Sequence, residues 1–442
     1  MKPARSLIPI GTATLLPHTV QSVRRLEERL MAFAANWGYQ EIILPTFEYL
    51  DVLAVGLAPE VLEKCYKFAD WASGRVLVLR PDATAQIARM VAMGLGGDAF
   101  PLRFAYRTTV FRHEPEHRGR DREVFQVGFE RMGEDSVSGD AEMVTLLVEV
   151  LKQVGLSDCK ISLGHVGFLK GLLSRSGLSP GGRKKAEIAV ARKDLPLLEE
   201  ILEQERVPRA TVRAILEVPE RCGTMDVLKW GKRIAGKDRA LLVPLIRLEQ
   251  VYQLLERNGV HDTVVLDLGE FRGFDYYDGI VFDVFTNSLG SELGGGGRYN
   301  HLIGRFGRDL PAIGFGLDID RVFSAMDRQG ITPPNGFQPV ALLAPSHLKR
   351  ASFFLAQSLR QAGHCVVEQA LEEKAKPSWR QLSRQVRRQG VNRVVLLAGR
   401  NEKSPTISVV DVSGTSTLSR QKKLMTLTQL LKELKNPSHG DF

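Results

Sequence analysis

The chain has few cysteines, no long hydrophobic run, no internal repeat and no low-complexity tract. No CxxC pair is present, which argues against a zinc site or a disulfide scaffold and predicts reduced thiols in a cytoplasmic protein. No stretch approaches the ~18 consecutive apolar residues that a membrane span needs. Pro9 and Gly11 interrupt the apolar stretch near the start, so we expect no signal peptide. The four cysteines are Cys65, Cys159, Cys222 and Cys365.

Nucleotide and metal motifs are also missing. The glycine run at 294–297 has the spacing of neither a P-loop nor a dinucleotide fingerprint. It predicts instead a strand that lets a ligand approach closely, or a bulge. The segment 113–117 matches the HExxH zinc pattern by letter, but Pro115 would break the helix on which both histidines must lie. We therefore expect no metal and no cofactor.

Positive charge is concentrated at the C-terminal end. The formal net charge is +9, and residues 349–442 carry 17 Lys/Arg against 7 Asp/Glu, so the rest of the chain is about neutral. Such an excess is typical of contact with nucleic acid or an acidic protein, although a solvated charged face explains it equally well. Aromatic platforms are few there, Phe353, Phe354 and Trp379 being the candidates, and the Phe pair fits a helix core. Binding of single-stranded RNA, which stacks bases on aromatics, is therefore not favoured.

The periodicity of apolar residues predicts an α+β domain at 1–330, a linker at 331–336 and a smaller α/β domain at 337–442. In the first domain a helical insertion, at about 169–258, separates two groups of strands. The sequence TPPNG marks the linker. The main predicted helices are 19–36 and 140–154, and the main predicted strands are 41–44, 76–79, 102–113, 123–132, 263–271 and 280–286. The C-terminal order is strand 340–343, helix 348–361, strand 365–369, helix 379–388, strands 393–397 and 406–412, and helix 424–434.

The segment FRHEPEHRGRDREVFQVGFE, residues 111–130, carries the strongest functional signal. Its arginines surround a strand with Gln126 and Glu130 on one face. Charged groups near a core are costly unless they find partners, and a zwitterionic or phosphorylated ligand supplies such partners. We therefore interpret the segment as a small-molecule site. The arginines in and beside it are Arg112, Arg118, Arg120, Arg122 and Arg131.

Three further motifs are ambiguous when each is taken alone. RPDAT at 80–84 follows a strand and offers oxygens to a cation, but taken alone it is better explained as a turn and helix N-cap. RGFDYY at 272–277 fits a carboxylate and a ring nitrogen, or an internal Arg–Asp pair. GFGLDIDR at 314–321 places Arg321 where a phosphate is often bound, or where it pairs with Asp318.

Together these segments resemble the class II aminoacyl-tRNA synthetase architecture, and specifically its histidyl branch. Pro45 is similar to that class's first, dimerisation motif, residues 111–130 to the second and 314–321 to the third. RGFDYYDGIVF resembles the histidine-recognising motif. The resemblance implies an antiparallel sheet with flanking helices, a helical insertion and a C-terminal α/β domain similar to an anticodon-binding domain.

Two families share this template: histidyl-tRNA synthetases and the regulatory subunits of ATP phosphoribosyltransferase. The segment 73–89 resembles the regulatory subunits, since synthetases carry Glu-Gly where Asp82-Ala83 stands. SGDAE at 138–142 and LGHVGF at 163–168 also resemble that family. Asp318 replaces a glycine that synthetases keep beside the nucleotide, where a carboxylate would repel a triphosphate. Arg112, Arg272 and Arg321 nevertheless match synthetase arginines, and a full-length C-terminal domain is more typical of synthetases.

The resemblance implies an L-histidine site. Asp82, Thr84 and Gln126 would receive the α-ammonium, Glu130 and Tyr277 the imidazole, and Arg272 with Arg112 the carboxylate. Tyr276 belongs to the same predicted set. A vestigial nucleotide site would comprise Arg120, Phe125, as counterpart of an adenine-stacking Phe, and Arg321.

The resulting hypothesis is a non-catalytic regulatory subunit for the first step of histidine biosynthesis and its feedback inhibition. The implied partner is a short-form ATP phosphoribosyltransferase catalytic subunit, in a hetero-oligomer built on homodimers of this chain. Nucleic acid and membranes are not expected as partners. Two alternatives stay open: a histidine–tRNA ligase using the same pocket, and an RNA-binding protein using only the basic C-terminal domain.

Overall fold

A computed structural model describes residues 8–113, 122–270, 276–331, 339–371, 391, 393–400 and 405–412, with a few positions between 426 and 434. The chain divides into two compact units, Met1–Pro334 and Asn335–Phe442, called here the N-terminal and C-terminal units. Among the helices of the described ranges, none combines the length and apolarity that crossing a lipid bilayer requires.

The N-terminal unit alternates strands and helices up to a long helical segment and then returns to strands. Its strands are β1 (Gln40–Glu41), β2 (Phe47–Tyr49), β3 (Lys67–Ala69), β4 (Val76–Leu79), β5 (Leu102–Phe111), β6 (Glu123–Met132), β7 (Lys160–His165), β8 (Cys222–Gly223), β9 (Val264–Asp267), β10 (Ile280–Phe285), β11 (Gly294–Arg298) and β12 (Ala312–Asp318). Its helices are α1 (Pro17–Asn36), α2 (Leu50–Leu53), α3 (Pro59–Glu63), α4 (Thr84–Ala92), α5 (Val137–Gln153), α6 (Val166–Arg175), α7 (Pro180–Ala191), α8 (Leu195–Gln204), α9 (Arg209–Glu217), α10 (Met225–Ala235), α11 (Arg239–Arg257) and α12 (Ile319–Arg328).

Nine of these strands form one sheet in the order β1-β5-β6-β12-β11-β10-β7-β9-β8. Most neighbours are antiparallel, whereas β1–β5 and β7–β9 are parallel, so the sheet is mixed rather than purely antiparallel as expected. The helical segment α6–α11 lies between β7 and β9, where the sequence predicts an insertion. A separate three-stranded sheet has the order β2-β4-β3.

The two faces of the large sheet have different environments. On one face, Phe129 and Phe315 are cross-strand partners with ring centroids 5.0 Å apart, and they belong to the main hydrophobic core. That core continues through α1, α5 and the helical insertion. On the other face α4 packs against a smaller cluster that contains Tyr106, Tyr276, Tyr277 and Tyr299. Polar side chains accumulate on this second face, which places the site there.

A buried ion-pair network ties the helical insertion to the sheet. The Asp140 side chain on α5 has no exposed surface, and its Oδ1 accepts a 2.7 Å hydrogen bond from Arg298 Nε on β11. Its Oδ2 accepts a second, also 2.7 Å long, from Arg247 Nε on α11. Exposed Asp135 contacts the same Arg247 at 2.8 Å. One carboxylate therefore connects three elements that are far apart in the sequence.

The C-terminal unit has a four-stranded sheet in the order β14-β13-β15-β16 and a helix, α13, packed on it. The first three strands are parallel neighbours, and β16 pairs antiparallel with β15. The predicted helices at 379–388 and, for most of its length, 424–434 lie outside the described residues. The elements are β13 (Val340–Pro345), α13 (Lys349–Gln361), β14 (Val366–Leu371), β15 (Arg393–Ala398) and β16 (Thr406–Asp411).

One expectation for α13 is wrong. Phe353 and Phe354 do not belong to the helix core but are 54% and 53% exposed. The helix buries Leu355, Ala356 and Leu359 against the sheet instead. Because successive helical residues are ~100° apart, the Phe pair lies outside that buried stripe.

Predicted and observed elements agree closely where the apolar pattern is long and regular. Strands β4 and β6 have the predicted bounds, and α1, β5 and α5 differ from them by no more than three residues. The largest differences in the N-terminal unit are at β9, which ends four residues before the end of the predicted 263–271, and at β1, of which only Glu41 lies within the predicted 41–44. All four cysteines are free thiols.

Candidate functional site

The pairing register of β6 and β12 builds the floor of the site. Gln126 lies opposite Asp318, and Glu130 lies opposite Gly314. Because side chains alternate between faces along a strand, these residues share the face away from the main core. The sheet therefore assembles a polar surface from two segments that are almost two hundred positions apart.

Glycines leave the space into which the larger polar side chains extend. A Cβ at Gly314 would lie 1.5 Å from Glu130 Oε2, and a Cβ at Gly128 would lie 2.3 Å from the Tyr106 ring. On β11, a Cβ at Gly296 would lie 2.0 Å from the backbone oxygen of Gly314. The glycine run predicted to permit close approach is thus the central strand β11, and its Gly294 and Gly295 line the cleft.

The RPDAT segment supplies the wall beside that floor. Asp82 Oδ1 accepts a 3.2 Å hydrogen bond from the Thr84 backbone N–H at the start of α4, and Asp82 Oδ2 accepts one of 3.1 Å from the Tyr276 hydroxyl. The turn interpretation and the site interpretation of this segment are therefore compatible. One face of the turn starts the helix, and the other presents a carboxylate to the cleft.

Glu130 is a buried carboxyl group with two hydroxyl donors. It is 1% exposed, its Oε1 accepts a 2.8 Å hydrogen bond from Thr84 Oγ1, and its Oε2 accepts a hydrogen bond from the Tyr299 hydroxyl. Burial raises the pKa of Glu130 to about 8, although the hydrogen bonds from Tyr299 and Thr84 oppose the shift. With this pKa, Glu130 gains or loses its proton near neutral pH.

The raised pKa predicts that stability falls as pH rises. The folded protein holds a proton on Glu130 that the unfolded chain releases near the ordinary value of 4.5, so the free energy of unfolding decreases from there up to about 8. The shift corresponds to a total on the order of 5 kcal/mol. We expect Glu130→Gln to reduce this slope when thermal unfolding is followed from pH ~5 to ~9.

A second variant tests the hydrogen bond from Tyr299. Tyr299→Phe removes a hydrogen-bond donor that favours the ionised form of Glu130, so the pKa of Glu130 should rise further. The decrease in the free energy of unfolding should then continue to a higher pH. Parallel stability profiles for the wild type and Glu130→Gln would contradict the assignment of a raised pKa to Glu130.

These residues surround an open, polar cleft. Its empty space, including open solvent at the mouth, is about 650 Å³. The lining combines acidic, basic and aromatic side chains with backbone exposed at glycines. The lining residues are Asp82, Thr84, Tyr106, Arg112, Gln126, Tyr276, Tyr277, Glu292, Gly294, Gly295, Gly314, Phe315, Gly316, Asp318 and Arg321. Glu130 lies directly beneath the floor at Gly314.

Arg321, at one side of the cleft, is engaged by two carboxylates. Its Nη1 donates to the Glu292 backbone oxygen at 2.6 Å and to Glu292 Oε1 at 2.9 Å. Its Nε lies 3.4 Å from Asp318 Oδ2. The pairing of Arg321 with Asp318 predicted from their spacing is therefore present. It is extended by Glu292, which sequence reasoning missed.

Most of the predicted site residues come together. Asp82, Thr84, Arg112, Gln126, Tyr276, Tyr277 and Arg321 line the cleft. Phe125 does not, because it lies on the opposite face of β6 and packs against the main core. Arg120 and Arg272 lie outside the described residues, as do residues 114–117 of the HExxH match.

Two aromatic residues of the site were missed by sequence reasoning. Tyr299 holds Glu130, and Tyr106 lines the cleft above Gly128. The pattern did contain a signal for Tyr106, which occupies the same strand face as Gln126's partner Thr108. For Tyr299 the only signal was its place after the glycine run. Within the described part of the chain, no group of His, Cys, Asp or Glu is arranged to hold a metal ion.

Known proteins resemble this chain over most of its length. A family model described as histidyl-tRNA synthetase matches residues 11–322. The chain is 35% identical over 362 residues to an ATP phosphoribosyltransferase regulatory subunit of Geobacter sulfurreducens, covering 82% of each chain. It is 38% identical over 365 residues to one of Moorella thermoacetica, covering 81% of this chain and 91% of the relative.

A solved structure gives the same result. A Bacillus halodurans protein described as an ATP phosphoribosyltransferase regulatory subunit/histidyl-tRNA synthetase superposes with a TM-score of 0.75 at 28% identity, covering 87% of this chain and 97% of that one. The predicted fold class and the predicted resemblance are both confirmed. The chain has the histidyl-tRNA synthetase fold and belongs to the family of ATP phosphoribosyltransferase regulatory subunits.

Proposed function

We propose that this chain binds L-histidine in the cleft and regulates an ATP phosphoribosyltransferase catalytic subunit without catalysing a reaction itself. The family assignment supports the regulatory role, since its relatives carry that name. The cleft supports the ligand, because a zwitterionic amino acid needs anionic and neutral acceptors at one end and a guanidinium at the other.

The amino-acid half of the cleft has the required groups. Asp82 and Gln126 offer oxygens for an ammonium, and Arg112 lines the cleft for a carboxylate. Glu130, beneath Gly314, offers an oxygen to an imidazole nitrogen, with Tyr277 nearby on the wall. Arg272, which the family resemblance assigns to the ligand carboxylate, completes the proposed set.

The engagement of Arg321 is the observation that carries the non-catalytic role. In synthetases the matching arginine serves the nucleotide, whereas here Glu292 and Asp318 both contact its guanidinium. One cation with two anions leaves this side of the cleft negative. Two like charges 4 Å apart repel by about 4 kcal/mol at intermediate dielectric, so a triphosphate is disfavoured there. The site retains the means to hold an amino acid but opposes its activation by ATP.

Regulation requires that histidine binds two states of the complex with different affinity, because equal binding shifts no equilibrium. We propose a short-form catalytic subunit as the partner, in a cytoplasmic hetero-oligomer built on homodimers of this chain. Bound histidine then favours the less active arrangement.

The test combines three measurements on the purified chain. We expect L-histidine binding by calorimetry, no histidine-dependent ATP–pyrophosphate exchange at saturating histidine, and a histidine-sensitive rate when the chain is mixed with a short-form catalytic subunit. Exchange at a synthetase-like rate would instead establish the alternative, a histidine–tRNA ligase.

A matched variant separates activation from inhibition. Glu130→Gln should leave the rate of the mixture without histidine unchanged, because the substituted side chain is buried beneath the floor of the cleft, but histidine should no longer inhibit the mixture. A catalytic subunit whose rate and histidine sensitivity are the same with and without the wild-type chain would contradict the proposed function.

A further inference from the structure

The two carboxylate oxygens of Asp318 have different partners, one on the floor and one at the side of the cleft. Oδ1 accepts a 2.9 Å hydrogen bond from Gln126 Nε2, and Oδ2 lies 3.4 Å from Arg321 Nε. The side chain is only 14% exposed. The position is fixed by the sheet, because Asp318 and Gln126 are cross-strand partners in the β12–β6 register.

We propose that Asp318 is a positioning residue that orients the Gln126 amide so that its carbonyl oxygen faces the ammonium group of the ligand. A carboxylate paired with a guanidinium accepts hydrogen bonds and donates none. It therefore selects the NH₂ end of Gln126 and directs the oxygen away from itself. This inference rests on the proposed function, since it concerns the same ligand.

The opposite end of the amide points into the cleft. Gln126 Oε1 lies 3.9 Å from the place where a Cβ of Gly316 would be, and Gly316 lines the cleft. An unrestrained glutamine presents either end to a ligand, and the NH₂ end would repel an ammonium. By fixing the orientation, Asp318 converts an ambiguous side chain into a dedicated acceptor.

Arg321 makes the arrangement sensitive to a one-atom change. In Asp318→Asn the single remaining oxygen is drawn to the Arg321 guanidinium, which leaves the new NH₂ group facing Gln126. Gln126 must then turn its own oxygen toward residue 318 and its NH₂ toward the cleft. Asp318→Ala removes the restraint without inverting the amide.

The experiment measures binding of two probes by calorimetry, L-histidine and 3-(imidazol-4-yl)propionate, which lacks the ammonium. We expect Asp318→Asn to weaken the binding of L-histidine by about tenfold or more, because the hydrogen bond from the charged ammonium to the Gln126 oxygen is lost. Asp318→Ala should have a smaller effect. Both variants should bind the des-amino probe within about twofold of the wild type.

Two controls distinguish orientation from simple loss of charge. Glu292→Gln removes a charge from the same arginine but not the carboxylate that accepts from Gln126, so it measures the effect of charge alone and should weaken L-histidine binding less than Asp318→Asn does. In a Gln126→Ala background, Asp318→Asn should have no further effect on the affinity for L-histidine. An effect that persists in that background, or equal losses for Asp318→Asn and Asp318→Ala, would overturn the proposal in favour of electrostatics.

Failure of this inference is distinguishable from failure of the proposed function. If the wild type does not bind L-histidine, the proposed function fails. If the wild type binds and Asp318→Asn binds equally well, only the positioning role is refuted. If Asp318→Asn does not fold, Asp318→Ala is compared in the wild-type and Gln126→Ala backgrounds, and a loss of L-histidine affinity that persists without Gln126 refutes the positioning role.

Discussion

Replacing Glu130 by glutamine is expected to weaken L-histidine binding by ~100-fold at neutral pH. The proposed complex contains a carboxylate facing an imidazolium, with a single proton shared between the two groups. Glutamine has the same shape but cannot supply the negative charge. The protein should remain folded, because the variant lacks the cost of ionising a buried carboxyl group.

The pH dependence of affinity follows from counting protons. The Glu130 carboxyl in the free protein is protonated below about 8, and free imidazole is neutral above ~6.5. Between these two pKa values the free Glu130 carboxyl and the free imidazole together carry one titratable proton. The complex also carries one, so the affinity should be nearly constant. Below that window the partners carry two protons, and binding must release one, so affinity should fall with decreasing pH.

Calorimetry across this range checks both statements. Glu149→Gln, on the solvent side of α5 with 32% of its side chain exposed, is the control and should bind like the wild type. If Glu130→Gln binds L-histidine within a few-fold of the wild type, Glu130 does not contact the imidazole. The assignment of that end of the cleft would then have to be abandoned.

Replacing Asp140 by alanine should destabilise the N-terminal unit by about 3–5 kcal/mol. The side chain has no exposed surface and neutralises Arg298, itself only 3% exposed, together with Arg247. Removing the carboxylate leaves a buried guanidinium without its main counter-charge, which costs more than the ion pair contributed. The loss should also loosen α11 from the sheet, because Asp140 joins Arg247 on α11 to Arg298 on β11.

Asp135 provides a matched control. It contacts the same two arginines, at 2.8 Å from Arg247 and 3.6 Å from Arg298, but its side chain is 49% exposed. Asp135→Ala should cost less than ~1 kcal/mol, as exposed ion pairs usually do. Denaturant unfolding of both variants measures the difference. Equal losses would mean that burial does not decide the energetics of this network.

Sequence patterns predicted correctly those features that a single segment of the chain decides, such as the position of a strand and the face on which its side chains lie. Long apolar alternation located β5 and β6, and the period of two placed Gln126 and Glu130 on one face. The family resemblance then predicted the fold class and most of the residues that line the cleft. It did not predict the environment of Phe125, although the same alternation assigns that residue to the opposite, core-facing side of the strand.

The environment of Glu130 depends on tertiary structure alone. Tyr299 is 169 positions away and reaches the carboxyl group only because β11 and β12 pair in one register. Burial there raises the pKa, and burial is a property of the packed sheet rather than of the segment. The same holds on α13, where helical spacing is visible in the sequence but the choice of buried stripe left Phe353 and Phe354 exposed.

The sequence by itself therefore determined the elements, the fold family and the chemical character of the cleft. Only the tertiary structure decided which charges neutralise one another. Asp318 meets Gln126 across 192 positions, and Glu292 meets Arg321 across 29. The physical reason is that alternation defines the faces of a strand, whereas the register between strands is set by packing across the whole sheet.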